Sequence, residues 1–156
     1  MITEVTRCLD ELGVAYTIRA HEAPAYTAED AALHRGIALS QIVKCLIGSS
    51  GDSLVAMLLP GDRRLKSSLA RKHLGAHHLA LAEPGSLEAM GLIVGAIAPY
   101  HLLGRARMLM DPSVMEERLV DISSGDLCAG VELESEQLLQ TTGAELVPIV
   151  STRVYA

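Results

Sequence analysis

The chain has 156 residues, of which 49% are apolar and 21% charged, and its formal net charge is −6. This size suits one domain over residues 1–156 with a real core, and the composition excludes a disordered, collagen-like or coiled-coil chain. No apolar run approaches the ~18–20 residues of a membrane helix; the start carries no apolar leader core; and three scattered cysteines (Cys8, Cys45, Cys128) without a CxxC point to a reducing, cytoplasmic setting.

Residues 3–12 place Val5, Cys8, Leu9 and Leu12 at helical spacing, and Gly13 ends that helix. Residues 14–18 read as a strand. Residues 21–24 read as a loop, because Pro24 holds its predecessor extended. Thr27 can cap a second helix whose first turn carries Glu29 and Asp30, and Gly36 closes it. Residues 42–47 and 54–59 are strands around a turn at 49–52, an antiparallel hairpin. After the turn at 60–62, a basic helix is expected over 63–74 with Leu65, Leu69 and Leu74 inward. Residues 78–81 suit a short strand and 84–90 a helix. The stretch 91–100 is apolar, punctuated by Gly91 and Gly95 and stopped by Pro99, too irregular for a plain helix or strand. Strands are expected over 107–110, over 119–122 and around Val131. Residues 111–113 form a turn or helix start, 135–140 a helix, and 146–150 a last strand or tail. Strands and helices mix without a strict βαβ rhythm, which predicts an α+β domain with a mixed, curved sheet packed by helices.

Lys44 interrupts a strand that is otherwise apolar on both faces. With period two, Ile42, Lys44 and Leu46 share one face, and Val43, Cys45 and Ile47 the other. Turned inward, the ammonium is desolvated and needs an anion: a carboxylate, or a ligand's phosphate or carbonyl. Turned outward, it guards an edge or snorkels to water. The segment 95–99 is a second candidate. Gly95 permits close backbone approach, and successive N–H groups there can point at one oxygen; a buried strand ending in a turn has the same pattern. His21 sits where a loop side chain reaches a cleft or stays in solvent. Cys45, opposite Lys44, reads as a buried inert thiol. His73, His77 and His78 are interrupted by Gly75 and lack an HExxH pattern, so no metal is expected. GxSxG, P-loop and GxGxxG patterns are absent.

Charge is uneven. Residues 63–82 hold five bases (Arg63, Arg64, Lys66, Arg71, Lys72) and no acid, whereas residues 111–145 hold nine acids against Arg118 alone. One face can therefore meet a polyanion while the rest repels it, although a solvated basic helix gives the same pattern. With no Phe, no Trp and four Tyr, aromatic stacking on bases is almost unavailable.

The order of these pieces resembles the YbaK family, free-standing aminoacyl-tRNA deacylases related to the editing domain of bacterial prolyl-tRNA synthetases. The resemblance rests on LDELGVAYTIRAHE, TAEDAALHRGI, IVKCLIG, LVAMLLPGDRRLKSSLARKHLG, GLIVGAIAPYHLL, LMDPSV and VDISSGDLCAGVELESEQLL, and covers nearly the whole chain. The lysine in V-K-x-L and the G-x-x-x-P are its specific marks. It implies a mixed, partly barrel-like sheet with flanking helices. It also implies hydrolysis of the ester joining a wrong amino acid to the 3′ end of a tRNA, by water assisted by substrate groups and without a protein nucleophile.

By this resemblance Lys44 corresponds to the family's active-site lysine. Gly95, Ala96, Ile97 and Pro99 correspond to the loop whose backbone amides hold the aminoacyl carbonyl. His21 falls at a pocket position, and Ser123 and Gly125 in a turn beside it. Arg63, Arg64, Lys66, Arg71 and Lys72 offer a face for the tRNA backbone. No cofactor is implied. The implied partner is mischarged tRNA, with a synthetase as a further candidate and no membrane. Met57, Leu92 and Ile97 are expected to shape a small apolar pocket. Cys45 stands where alanine-clearing relatives usually carry Asn and cysteine-clearing ones Thr, which leaves the amino acid open. The other reading is a non-catalytic relative that binds tRNA, a nucleotide or a protein partner in a regulatory role. The low aromatic count and negative charge fit that reading, while Lys44 and the 95–99 loop fit the enzyme.

Overall fold

The computed structural model describes residues 1–154. Thr3 caps α1 (Glu4–Glu11): its hydroxyl accepts from the Thr6 amide, and the Thr6 hydroxyl accepts from the Thr3 amide. The strand expected from residue 14 starts later, as β1 (Tyr16–Ala20). Residues up to Val14 still close the helix, with the Val14 amide donating to the Leu9 carbonyl. α2 (Ala28–Arg35) starts at the Thr27 cap and ends at Gly36, whose φ of 66° is left-handed.

β2 (Val43–Ser50) and β3 (Ser53–Pro60) form the expected hairpin, in register from Val43–Pro60 down to Ser50–Ser53. The basic segment then departs from a single helix. It divides into β4 (Arg63–Leu65) and α3 (Ser67–Leu74). Beyond them run β5 (Ala80–Leu81), α4 (Pro84–Ala89), β6 (Ala106–Met110), β7 (Leu119–Ser123), β8 (Ala129–Glu134), α5 (Ser135–Thr142), β9 (Glu145–Leu146) and β10 (Val150–Val154). β4 is a strand because it pairs antiparallel with β10, a partner invisible to local periodicity. Residues 91–98 belong to neither a regular helix nor a strand, and a 3-10 turn follows at Pro99–Leu102.

The strands form three sheets, and among the described residues they do not close into a barrel. Five strands run in the order β5-β2-β3-β6-β9, with β3–β6 and β6–β9 parallel and the rest antiparallel. A second, antiparallel sheet has the order β1-β8-β7, and β10-β4 makes the third. A parallel bridge between Ile42 and Asp121 joins the first two at their edges. The domain is α+β with a mixed main sheet, as the sequence predicts.

The largest core cluster fills the space between α1, α5 and the two main sheets with Val5, Leu9, Val43, Leu58, Met110, Ile122, Val131, Leu133 and Leu138. A second cluster sits under α3, where Met57, Ala70, Leu109 and Ile149 are buried. Each fully buried aliphatic side chain stabilises the fold by about 1.5–3 kcal/mol. A core with almost no aromatic rings therefore suffices.

Candidate functional site

A cleft of about 330 Å³ opens between β2, α2, the end of β7 and the 91–98 loop. Its wall contains Lys44, Gly95, Ile97 and Ser123, so four of the residues singled out from sequence meet in one cavity. Exposed Tyr26, Leu81 and Val94 lie at the same cleft.

β2 runs along the cleft wall, which residues 42–47 line from both faces of the strand. Val43 and Cys45 pack toward the largest core cluster, while Lys44 and Leu46 turn to the other face. The Lys44 ammonium donates to the backbone carbonyl of Arg63 on β4. Burial pushes its pKa below the usual lysine range; Glu29 and Asp62 oppose the shift and Arg64 adds to it. The basic segment thus starts at the edge of the cleft. Arg64, Lys66 and Lys72 are exposed, whereas Arg63 and Arg71 are half-buried, and Arg71 donates to the Ala76 carbonyl at 3.4 Å. Cys45 also touches the cleft, but burial pushes its thiol up to about 12, so it is protonated and a poor nucleophile at neutral pH.

Gly95 has φ +93°, and a Cβ there would lie 3.2 Å from the Leu127 side chain and 3.3 Å from the Tyr26 backbone. The bend therefore needs glycine. Within the 95–99 loop, the Ala96 amide donates to the Ile93 carbonyl at 2.8 Å and the Ala98 amide to His101 Nδ1 at 3.0 Å. Pro99 has no N–H. Gly95 and Ile97 are the loop positions that line the cleft and whose amides are not used in these bonds.

Other expected positions lie elsewhere. Ala96 is buried behind the loop, and Pro99 starts the 3-10 turn in the interior. Gly125 turns away from the cleft, where its added Cβ would sit 3.3 Å from His101 Nε2, while its amide donates to Ser123 Oγ at 3.1 Å. His21 stands one layer back. Its Nε2 accepts from Arg35 Nε at 3.3 Å, its Nδ1 meets the Ala23 carbonyl at 2.7 Å, and its ring stacks on His34 at 5.3 Å. Met57 and Leu92 do not shape the pocket, because both are core residues; only Ile97 of that expected trio lines it.

The pattern also hides two cleft residues. Arg35, in the last turn of α2, donates from Nη1 to Asp121 Oδ1 on β7 at 2.6 Å, a buried ion pair in the wall. Burial raises the Asp121 pKa to about 6, although the Arg35 charge, its hydrogen bond and Arg19 lower it; Glu132 adds to the rise. A lone acid in the apolar strand LVDIS is the same anomaly as Lys44 in β2, and is the signal that marks it. No group of three or more His, Cys, Asp or Glu among the described residues is placed to hold a metal. No helix among them is long and apolar enough to cross a membrane.

The aminoacyl-tRNA editing domain model matches residues 22–141. The chain is 28% identical over 146 residues to the multifunctional Ser/Thr-tRNA deacylase ProXp-y of Escherichia coli K12, covering 89% of this chain and 86% of that protein. It is 35% identical over 88 residues to the proline–tRNA ligase of Nitratidesulfovibrio vulgaris DP4, which is 56% of this chain and 15% of the ligase. A solved structure described as a candidate trans-editing enzyme for prolyl tRNA synthetase has the same fold, with a TM-score of 0.86 and 23% identity over 95% of each chain.

Proposed function

The chain belongs to the aminoacyl-tRNA editing domain family, and on that premise we propose that it is a trans-editing hydrolase that cleaves the ester of mischarged aminoacyl-tRNA. The observation that carries this reading is the meeting of Lys44 and the Gly95 bend in one cleft that holds no activated nucleophile. An ester is already activated. Its hydrolysis needs a placed water and donors aimed at the oxygen where charge develops.

The Gly95 and Ile97 amides are the donors for that oxyanion. Lys44, held by the Arg63 carbonyl, orients the terminal nucleotide and offsets developing negative charge. Of the exposed bases, Arg64 lies on β4 next to the carbonyl that holds Lys44, and Lys66 and Lys72 follow at the start and in the last turn of α3, so the acceptor end of a tRNA would run along them into the cleft. Substrate hydroxyls, such as the free ribose hydroxyl beside the ester, assist the water. The likeness to a Ser/Thr-tRNA deacylase points to serine and threonine as amino acids to be cleared.

The test is a panel of mischarged tRNAs assayed for deacylation with wild type and Lys44→Ala. Wild type is expected to clear a subset, and the variant to lose about 100-fold or more, the scale of a lost transition-state donor. A variant as fast as wild type overturns the role of Lys44. Binding without turnover by the wild type favours the non-catalytic module instead, a reading that the net charge of −6 supports.

A further inference from the structure

Asp121 is 1% exposed, yet it lines the cleft. Its Oδ1 is held by Arg35, while its Oδ2 is buried and has no hydrogen-bond partner. An unpaired buried carboxylate oxygen is costly, and its persistence in a folded protein calls for an explanation such as a functional role. The surroundings are built for this group. Register places Asp121 opposite Glu132 and Ser123 opposite Gly130, so these four share the polar face of the β1-β8-β7 sheet. Arg19 lies on that face opposite Gly130 and donates to Glu132 at 2.5 Å. Gly130 must lack a side chain, because a Cβ there would come within 2.5 Å of both Arg35 Nη1 and Asp121 Oδ1.

The missing partner's chemistry follows from the charges already present. Arg35 balances Asp121, Arg19 balances Glu132 while its Nε is also buried without a partner, and Lys44 stands in the same cleft. A further cation would add unbalanced positive charge to a buried site, whereas a neutral hydroxyl satisfies the free oxygen without changing the balance. An apolar group would leave it unpaired. The geometry points to Asp121 as the specificity-determining residue: its Oδ2 accepts a hydrogen bond from the side-chain hydroxyl of the esterified amino acid. The substrate class is then hydroxyl-bearing aminoacyl groups, favoured over apolar ones of equal size. This rests on the deacylase reading for its biological meaning, but the binding preference is separable from turnover.

The experiment measures affinity for two non-hydrolysable amide analogues, 3′-threonylamino- and 3′-valylamino-adenosine, whose side chains are nearly isosteric. Wild type is expected to bind the threonyl analogue at least about 10-fold tighter, the scale of a hydrogen bond to a charged group. Asp121→Asn is expected to shrink the ratio. The double variant Arg35→Met/Asp121→Leu, which replaces the ion pair by apolar groups of similar volume, is expected to bring it to one or below. Equal binding of both analogues by wild type overturns the inference. So does a ratio unchanged in the variants, because a merely structural Asp121 would weaken both analogues alike. Deacylation of threonyl- and valyl-tRNA is measured in parallel: a threonyl preference in binding without turnover of either ester supports Asp121 while overturning the deacylase reading.

Discussion

Gly130 is where one hydrogen atom decides whether a buried pair can exist. Its Cβ position is occupied in effect by the Arg35 guanidinium and the Asp121 carboxylate, each 2.5 Å away. Neither neighbour is a free end, since Arg35 is also tied to His21 and Asp121 sits in a sheet. Gly130→Ala is therefore expected to cost about 1–3 kcal/mol, as overpacking does. Urea denaturation reads the loss, and a midpoint equal to wild type would mean that the pair moves aside freely. Lys44 is legible in the sequence because a lone ammonium breaks an apolar strand. Asp121 offers the same signal, but it is one of nine acids in residues 111–145, and its partner Arg35 is 86 residues away. An ion pair of that span leaves no trace in local spacing. The backbone donors divide in the same way. Glycine at 95 shows a bend, but that Ala96 and Ala98 spend their amides on Ile93 and His101 is a property of the folded loop alone.

At the scale of elements, what is legible is what is terminated locally. α2 has its start and stop written in: Thr27 accepts from the Asp30 amide at 3.1 Å, and Gly36 takes the left-handed turn. The β2–β3 hairpin is likewise local. β4 is the counterexample, since residues 63–65 read as the start of a basic helix with Leu65, Leu69 and Leu74 inward, yet are claimed by β10 from the far end of the chain. The number and order of sheets, set by such distant pairings, lie beyond periodicity. α2 also links local stability to the cleft, because its last residue is Arg35 and its first turn lies beside Tyr26. Thr27→Ala removes the cap and is expected to destabilise the protein by about 1 kcal/mol, which thermal melting reads as a lowered Tm. If the frayed turn reaches the cleft, ligand affinity falls with it. A Tm unchanged within error would show that the cap is replaced by water at no cost.

For the whole molecule the question is how a chain of net charge −6 approaches a polyanion. The answer lies in separation. Five of the 13 bases cluster in residues 63–72, where Arg71 and Lys72 also sit on the negative end of the α3 dipole, and nine of the 19 acids lie in residues 111–145. Beyond a Debye length the net charge is largely screened, so on the deacylase reading a tRNA would meet the local charge of the basic segment only at close range. On that reading orientation would be selected by charge before any base is read, which suits a protein with few aromatic platforms for stacking. The measurable consequence is a salt slope. Association with an aminoacyl-tRNA should weaken linearly in log affinity against log salt, with each lost phosphate contact lowering the slope by about one unit. Lys66→Gln and Lys72→Gln together should reduce the slope by up to about two units and weaken binding of every tRNA alike, leaving the preference between amino acids untouched. Slopes identical in wild type and the double variant would place the tRNA on another face of the molecule and separate the basic segment from the cleft it adjoins.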